Sequence, residues 1–240
     1  MTAEWAACAF IMAGACFVLG LAGFGNALVA MAFLPYFMSP AAAIVVLTIY
    51  TTVFAIAIFA PVRRELAATG VVDLLLGTVL GAPLGVWVLA TCPASILNRI
   101  IGAVLVAVVL LEWAGVYPQR LTGRRWGLGA GFLAGVSGGA VGLPGPPVVL
   151  YATTQGWSPG TIKANLQMFF FANQFVILAG YWWAGLLSRD VWRLTASFAL
   201  PAAAGAASGI LLFNRVDQPR FRRIVFALLF VSGLVLLARG

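Results

Sequence analysis

The chain has 240 residues, 63% hydrophobic and 8% charged, with 14 Lys and Arg against 6 Asp and Glu and no histidine. Soluble domains run at roughly 45–50% apolar and about 25% charged, so there are too few charged side chains here to cover a soluble globule, and the solvent for most of the surface must be lipid. The net charge of +8 sits in short arginine clusters between apolar runs, which reads as positive-inside anchoring rather than a nucleic-acid surface. The lack of histidine removes the usual transition-metal ligand and general base.

The first apolar run covers 5–38, and no charged residue occurs between positions 5 and 62. That is longer than the ~20 residues of one membrane span. Its start, MTAEWAACAF, has no basic region ahead of the apolar stretch and is read as a span, not a cleaved signal. Cys8 and Cys16 would lie ~12 Å apart on one helix, and with Cys92 they form no disulfide or zinc pattern. Gly20, Gly23, Gly25 and Asn26 interrupt this run, and Pro35 lies near its end. Spans follow at 41–60, 71–90 and 99–117, then a basic linker at 118–125.

The pattern then repeats. A Gly/Pro-rich segment at 127–156 precedes spans at 162–185, 191–212 and 221–238. Gly81-x-x-x-Gly85 followed by Arg99-Ile100 returns 124 positions later as Gly205-x-x-x-Gly209 followed by Arg223-Ile224. Ser39-Pro40 returns 119 positions later as Ser158-Pro159. Internal repeats are the usual construction of secondary transporters. The domain reading is therefore one integral membrane domain made of a first repeat, 1–118, and a second, 119–240.

Residues 127–156 hold nine glycines and three prolines. Proline lacks an N–H and clashes with the preceding turn, so Pro144, Pro146 and Pro147 must break the helix. Two half-helices of ~13 residues would each reach about 20 Å, short of a ~30 Å hydrocarbon core, which favours a re-entrant hairpin with its tip inside the membrane. Loop charge agrees. If both long segments are hairpins, each half makes three net crossings, and ten basic residues share one face against four on the other. That bias implies inverted repeats, a cytoplasmic linker and both termini outside. The predicted fold class is an all-α polytopic membrane protein of two inverted repeats, each a broken or re-entrant helical hairpin plus three transmembrane helices.

Broken backbone at membrane depth leaves unpaired polar groups, tolerated only against protein or a water-filled cavity. A half-helix beginning just after Gly145, with Pro146 or Pro147 first, presents free N–H groups and its positive dipole end, an anion site without a charged side chain. Gly25-Asn26 starts the matching half-helix. The candidate substrate-binding residues are Gly23, Gly25, Asn26, Pro144, Gly145, Pro146 and Asn173. Asn173 is a buried amide in the next span, for which plain interhelical hydrogen bonding is the alternative. Gly77, Gly81 and Gly85 fit helix packing instead. All acidic residues but Glu112 lie at span ends or in loops, so no intramembrane carboxylate relay is evident, and nothing activates water for catalysis.

The chain resembles the sulfite exporter TauE/SafE family, also described as the four-plus-four toluene-sulfonate uptake permease type. The resemblance runs through Gly20-Leu-Ala-Gly23-Phe-Gly25-Asn and, more specifically, Gly142-Leu-Pro-Gly145-Pro-Pro-Val-Val-Leu-Tyr151, followed by Lys163-Ala-Asn-Leu-Gln-Met-Phe-Phe-Phe-Ala-Asn173 and Tyr181. Family members carry a Gly-x-Gly-Gly-Gly run in the first half, and here Asn26 and Ala27 replace the later glycines. The resemblance implies transport of sulfite, sulfoacetate or related sulfonates across a bacterial inner membrane, without a cofactor and without enzymatic activity. Expected partners are the small anion and the bilayer, with no nucleic acid. A homodimer and a coupling ion, proton or sodium, stay open, as do a carboxylate substrate and a non-transporting membrane scaffold.

Overall fold

The computed structural model describes residues 3–60, 66, 70–115, 121, 123–212 and 218–239. Arg63, Arg64, Arg120 and Arg215 lie outside the described residues, as do the side chains of Arg220, Arg222, Arg223 and Arg239. The regular elements are α1 (Ala3–Ala22), α2 (Asn26–Phe33) with a 3-10 turn at Leu34–Tyr36, α3 (Pro40–Phe59), α4 (Val71–Thr91), α5 (Ala94–Ala114), α6 (Arg124–Val141), α7 (Gly145–Thr153), α8 (Pro159–Trp183), α9 (Arg189–Ser197), α10 (Ala199–Leu212) and α11 (Gln218–Arg239). Among the described residues there is no strand.

The helices α1, α3, α4 and α5 are long and apolar enough to cross a membrane, and α9 with α10 makes a fifth span if the bent pair counts as one. With 25 residues α8 is longer still, but Asn165, Gln167, Asn173 and Gln174 dilute its apolar character. Val79, Leu80 and Leu84 of α4 and Leu110 and Leu111 of α5 are exposed, a surface that only hydrocarbon solvates. Trp182 and Trp183 stand exposed at the end of α8, where interfacial tryptophans belong. The chain is a polytopic helical membrane protein.

It divides into two compact units that interleave the halves: Met1–Thr51, Cys92–Gly115 and Leu187–Gly240 in one, Thr52–Thr91 and Val116–Leu186 in the other. In the first unit α1 packs along α10, and α11 packs against α5 and α2. In the second, α4 packs along α6 and against α8, with α7 between α6 and α8. Val71, Leu74, Ala134, Val148, Tyr151, Phe169 and Phe170 form the core of the second unit.

Glycine seams set both major pairings, and their contacts recur at the offsets read in the sequence. A methyl at Gly81 would collide with the Phe132 carbonyl oxygen and one at Gly85 with that of Val136. In the other unit, Gly205 meets the Ala13 carbonyl in the same way and Gly209 that of Phe17. From Gly81 to Gly205 is 124 positions; from Ala13 to Phe132 and from Phe17 to Val136 is 119. Reciprocally, a methyl at Gly20 would come within 3.0 Å of Ile210 N and one at Gly139 within 2.8 Å of Val86 N. Backbones this close gain dispersion contacts that side chains would forbid.

Both long segments break at equivalent points, Ala22 and Val141, and continue at Asn26 and Gly145. In each case the residue after the break is a glycine in the left-handed region, Gly23 at φ 78° and Gly142 at φ 72°, closing the helix with Gly23 N–H to Leu19 O at 2.7 Å and Gly142 N–H to Gly138 O at 3.0 Å. The expectation of two ~13-residue arms is corrected: the arms have 20 and 8 residues in the first segment and 18 and 9 in the second. Each outgoing arm therefore has nearly the length of a full span (~27–30 Å). The break falls late because the glycine seam keeps α1 and α6 helical along their whole contact with α10 and α4.

The second segment returns to the end it started from. Gln155 Nε2 donates to Leu121 O at 2.9 Å, tying the chain just beyond α7 to the chain just before α6. Tyr151 and Trp157 reach Gly70, at the start of α4.

The predicted span 191–212 is two helices, bent by 52° at Phe198. Pro201, in the first turn of α10, has no N–H for the Ser197 carbonyl and its ring would clash there, so the helix cannot run through. Tyr50 donates its hydroxyl to Thr195 O, one of the carbonyls the bend frees, and Trp5 stacks on Phe198 at 6.0 Å.

Candidate functional site

Each unit carries one hairpin tip. In the first unit Gly25 is the N-cap of α2 at φ 87°, a conformation that side chains rarely adopt. Helix geometry leaves the N–H groups of Gly25, Asn26, Ala27 and Leu28 without intrahelical partners. None of the four is proline, so this tip offers four backbone donors at the positive end of α2. The Asn26 side chain does not join them. It is buried, and its Nδ2 donates to Thr51 Oγ1 at 2.6 Å, while the Thr51 hydroxyl donates to Leu47 O at 2.8 Å. Asn26 thus fastens α2 to α3 and offers its backbone N–H to the tip. Thr48 donates to Ile44 O of its own helix at 2.8 Å.

The tip of the second unit is built differently. Pro144 is the N-cap of α7, which begins at Gly145 itself, one residue earlier than the sequence reading placed it. Pro146 therefore stands second and Pro147 third in the helix. Of the four positions whose N–H groups a helix start leaves over, three are proline, and only Gly145 has a donor. The proline cluster marks the break and at the same time strips it of hydrogen-bond donors.

Acceptors are more plentiful there. The last turn of α6 ends at this tip with its carbonyls and the negative end of its dipole. Gly138 O accepts from Gly142 N–H at 3.0 Å, and the Tyr181 hydroxyl reaches Gly139 O at 2.9 Å and Gly138 O at 3.3 Å. Ser137 Oγ lies 2.8 Å from Leu133 O and 2.9 Å from Leu143 O. Those bonds leave the Ala140 and Val141 carbonyls to the tip.

Asn173 sits at the same level. On α8, Phe170 touches the space beside Gly145, and Ile177 meets Gly138 next to Pro144. Asn173 lies between them on that face. It is 0% exposed, and neither Nδ2 nor Oδ1 has a hydrogen-bond partner among the described residues. A buried, unsatisfied amide costs about 1–3 kcal/mol, which sets Asn173 apart from the hydrogen-bonded Asn26. The candidate residues thus fall into two sets: Gly23, Gly25 and Asn26 at one tip, and Pro144, Gly145, Pro146 and Asn173 at the other. Sequence reasoning did not single out Ala27 and Leu28, whose N–H groups lie in the first turn of α2, or Ser137 and the carbonyls at the end of α6. The lack of proline at 27 and 28, against proline at 146 and 147, was the available signal.

No group of three or more His, Cys, Asp or Glu that could hold a metal occurs among the described residues. A family model described as Sulfite exporter TauE/SafE matches residues 7–236 of the chain. No curated protein and no solved structure matches it.

Proposed function

The chain belongs to the sulfite exporter TauE/SafE family, a family of membrane transporters, and from that premise we propose that it is a secondary transporter of sulfite or a small sulfonate such as sulfoacetate in a bacterial inner membrane. The substrate anion is held at the half-helix N-terminus of the first tip, around Gly23, Gly25 and Asn26. The α7 start at Pro144, Gly145 and Pro146, with the single N–H of Gly145, has no part in holding it in this reading. The observation that carries this reading is the first turn of α2, where four backbone N–H groups without intrahelical partners begin at a left-handed Gly25 that has no side-chain cap. Such a site suits a compact oxyanion, because it supplies directed donors and a positive dipole without a fixed counter-charge that would hold the anion too tightly to release. The two chain halves, 1–118 and 119–240, are inverted repeats in this reading.

The test removes one donor without adding a charge. Ala27 corresponds to Pro146 at the 119-residue offset, so Ala27→Pro copies a residue that the other tip already accommodates, and proline is tolerated in the first turn of a helix. Losing one hydrogen bond to a charged ligand, about 1.5–3 kcal/mol, should raise the sulfite concentration for half-maximal flux in proteoliposomes by roughly tenfold or more. Unchanged sulfite affinity in a folded variant would remove α2 from the site. A labelled small carboxylate in the same vesicles tests whether the site is selective for sulfur oxyanions.

A further inference from the structure

The second tip has the wrong inventory for a second anion site. Three prolines remove its donors, while the 18-residue α6 ends there with its last carbonyls and the negative end of its dipole, and Asn173, buried and unpaired, sits at the same level on α8. Unwound carbonyls at the end of a broken helix are the groups that coordinate alkali cations in transporters. We propose that this tip binds a sodium ion, held by the carbonyl oxygens at the end of α6 and by Oδ1 of Asn173, and that transport draws on the sodium gradient.

The surroundings decide which cation. No charged residue occurs from 126 to 162 or from 164 to 188. On the helices packed around the tip, the charged groups are distant. Asp73, in the first turn of α4, is paired at 3.0 Å with Arg124 at the opposite end of α6, Arg125 is next to it, and Lys163 lies ten residues before Asn173, ~15 Å along the helix. Among the described residues the ionisable side chain at the tip is the Tyr181 phenol, already bonded to α6 carbonyls. A proton has no carrier at this place, and a divalent ion would meet no carboxylate. Neutral oxygens in a dry pocket fit a monovalent ion. The amide of Asn173 is the independent sign of a ligand site, because helix packing alone would not keep both of its polar atoms buried and unpaired among the described residues.

This inference rests on the transporter reading for its meaning, but its test does not need flux. In purified protein without anionic substrate, replacing choline chloride by NaCl at constant ionic strength should raise the thermal midpoint saturably, and KCl should not. Asn173→Leu should weaken the sodium dependence at least tenfold. Asn173→Asp keeps the shape and adds a negative charge, so it should retain or tighten sodium binding, whereas at an anion site it would abolish ligand binding. A midpoint indifferent to sodium in the wild type, an equal response to potassium, or loss of the sodium response in the Asp variant overturns the proposal. Sulfite flux without sodium binding would sink this inference and leave the transporter reading standing; sodium binding without sulfite flux would do the reverse.

Discussion

Asn26 donates to Thr51 at 2.6 Å, while both amide atoms of Asn173 are left unpaired. The first amide therefore positions a helix, and the second is available to a ligand. If Asn26 acts by fixing α2, then Thr51→Val, which removes the acceptor and keeps the shape, should loosen the tip without touching a donor. A membrane interhelical hydrogen bond contributes about 0.6 kcal/mol on average, so sulfite affinity should weaken about threefold with maximal flux largely kept; a loss as severe as that of Ala27→Pro would mean that Thr51 contacts the substrate directly. At this scale the sequence was informative about where the helices break and less so about what each break offers. Gly23, Gly25 and Gly142 were legible because only a break explains glycine and asparagine inside an apolar run. The chemical difference between the tips was not, because it depends on which helix position each proline occupies, and one residue of register decides whether Gly145 or Pro146 leads α7.

Among the elements, the bent pair of α9 and α10 carries a prediction of its own. The bend frees the Thr195 carbonyl inside the protein, and the Tyr50 hydroxyl satisfies it from α3. In Tyr50→Phe that carbonyl loses its partner at a cost of about 1 kcal/mol or more, equivalent to a thermal midpoint roughly 2–4 °C lower for a chain of this length. A midpoint unchanged within error would show that water or a shifted backbone takes over the bond. Hydropathy located this span correctly and missed its bend, since Ala199 to Leu212 and the residues before it form one apolar run after Arg193. Pro201 was the readable cause, but proline alone does not announce a break: α4 accommodates Pro83 within a continuous helix. Packing separates the two cases, with α4 held straight along α6 by Gly77, Gly81 and Gly85.

For the whole molecule, the offsets of 119 and 124 were legible as a duplication. The interleaving of the halves into two units was not, because a glycine stripe advertises a close partner without naming it, and Gly81 could equally have met α5 or α8. The duplication nevertheless bears on topology. Since Gln155 bonds Leu121, residues 121 and 155 share a face, and the segment between them contributes no net crossing. Val18 of α1 lies against Gly25, and α2 packs on α1. If the first segment likewise returns to its starting face, each half crosses three times, an odd number, and the second half enters from the face opposite to the first. The same count puts ten basic residues on one side and four on the other, the asymmetry that orients bacterial membrane proteins. Alkaline phosphatase fused after Gly240 should therefore be active, and fused after Gly123 inactive, with a cytoplasmic fluorescent reporter giving the opposite pattern. Were each long segment a single crossing, each half would cross four times, and the two fusions would report the same side. Two active or two inactive phosphatase fusions would thus overturn the hairpin count and with it the inverted arrangement, whatever the protein transports.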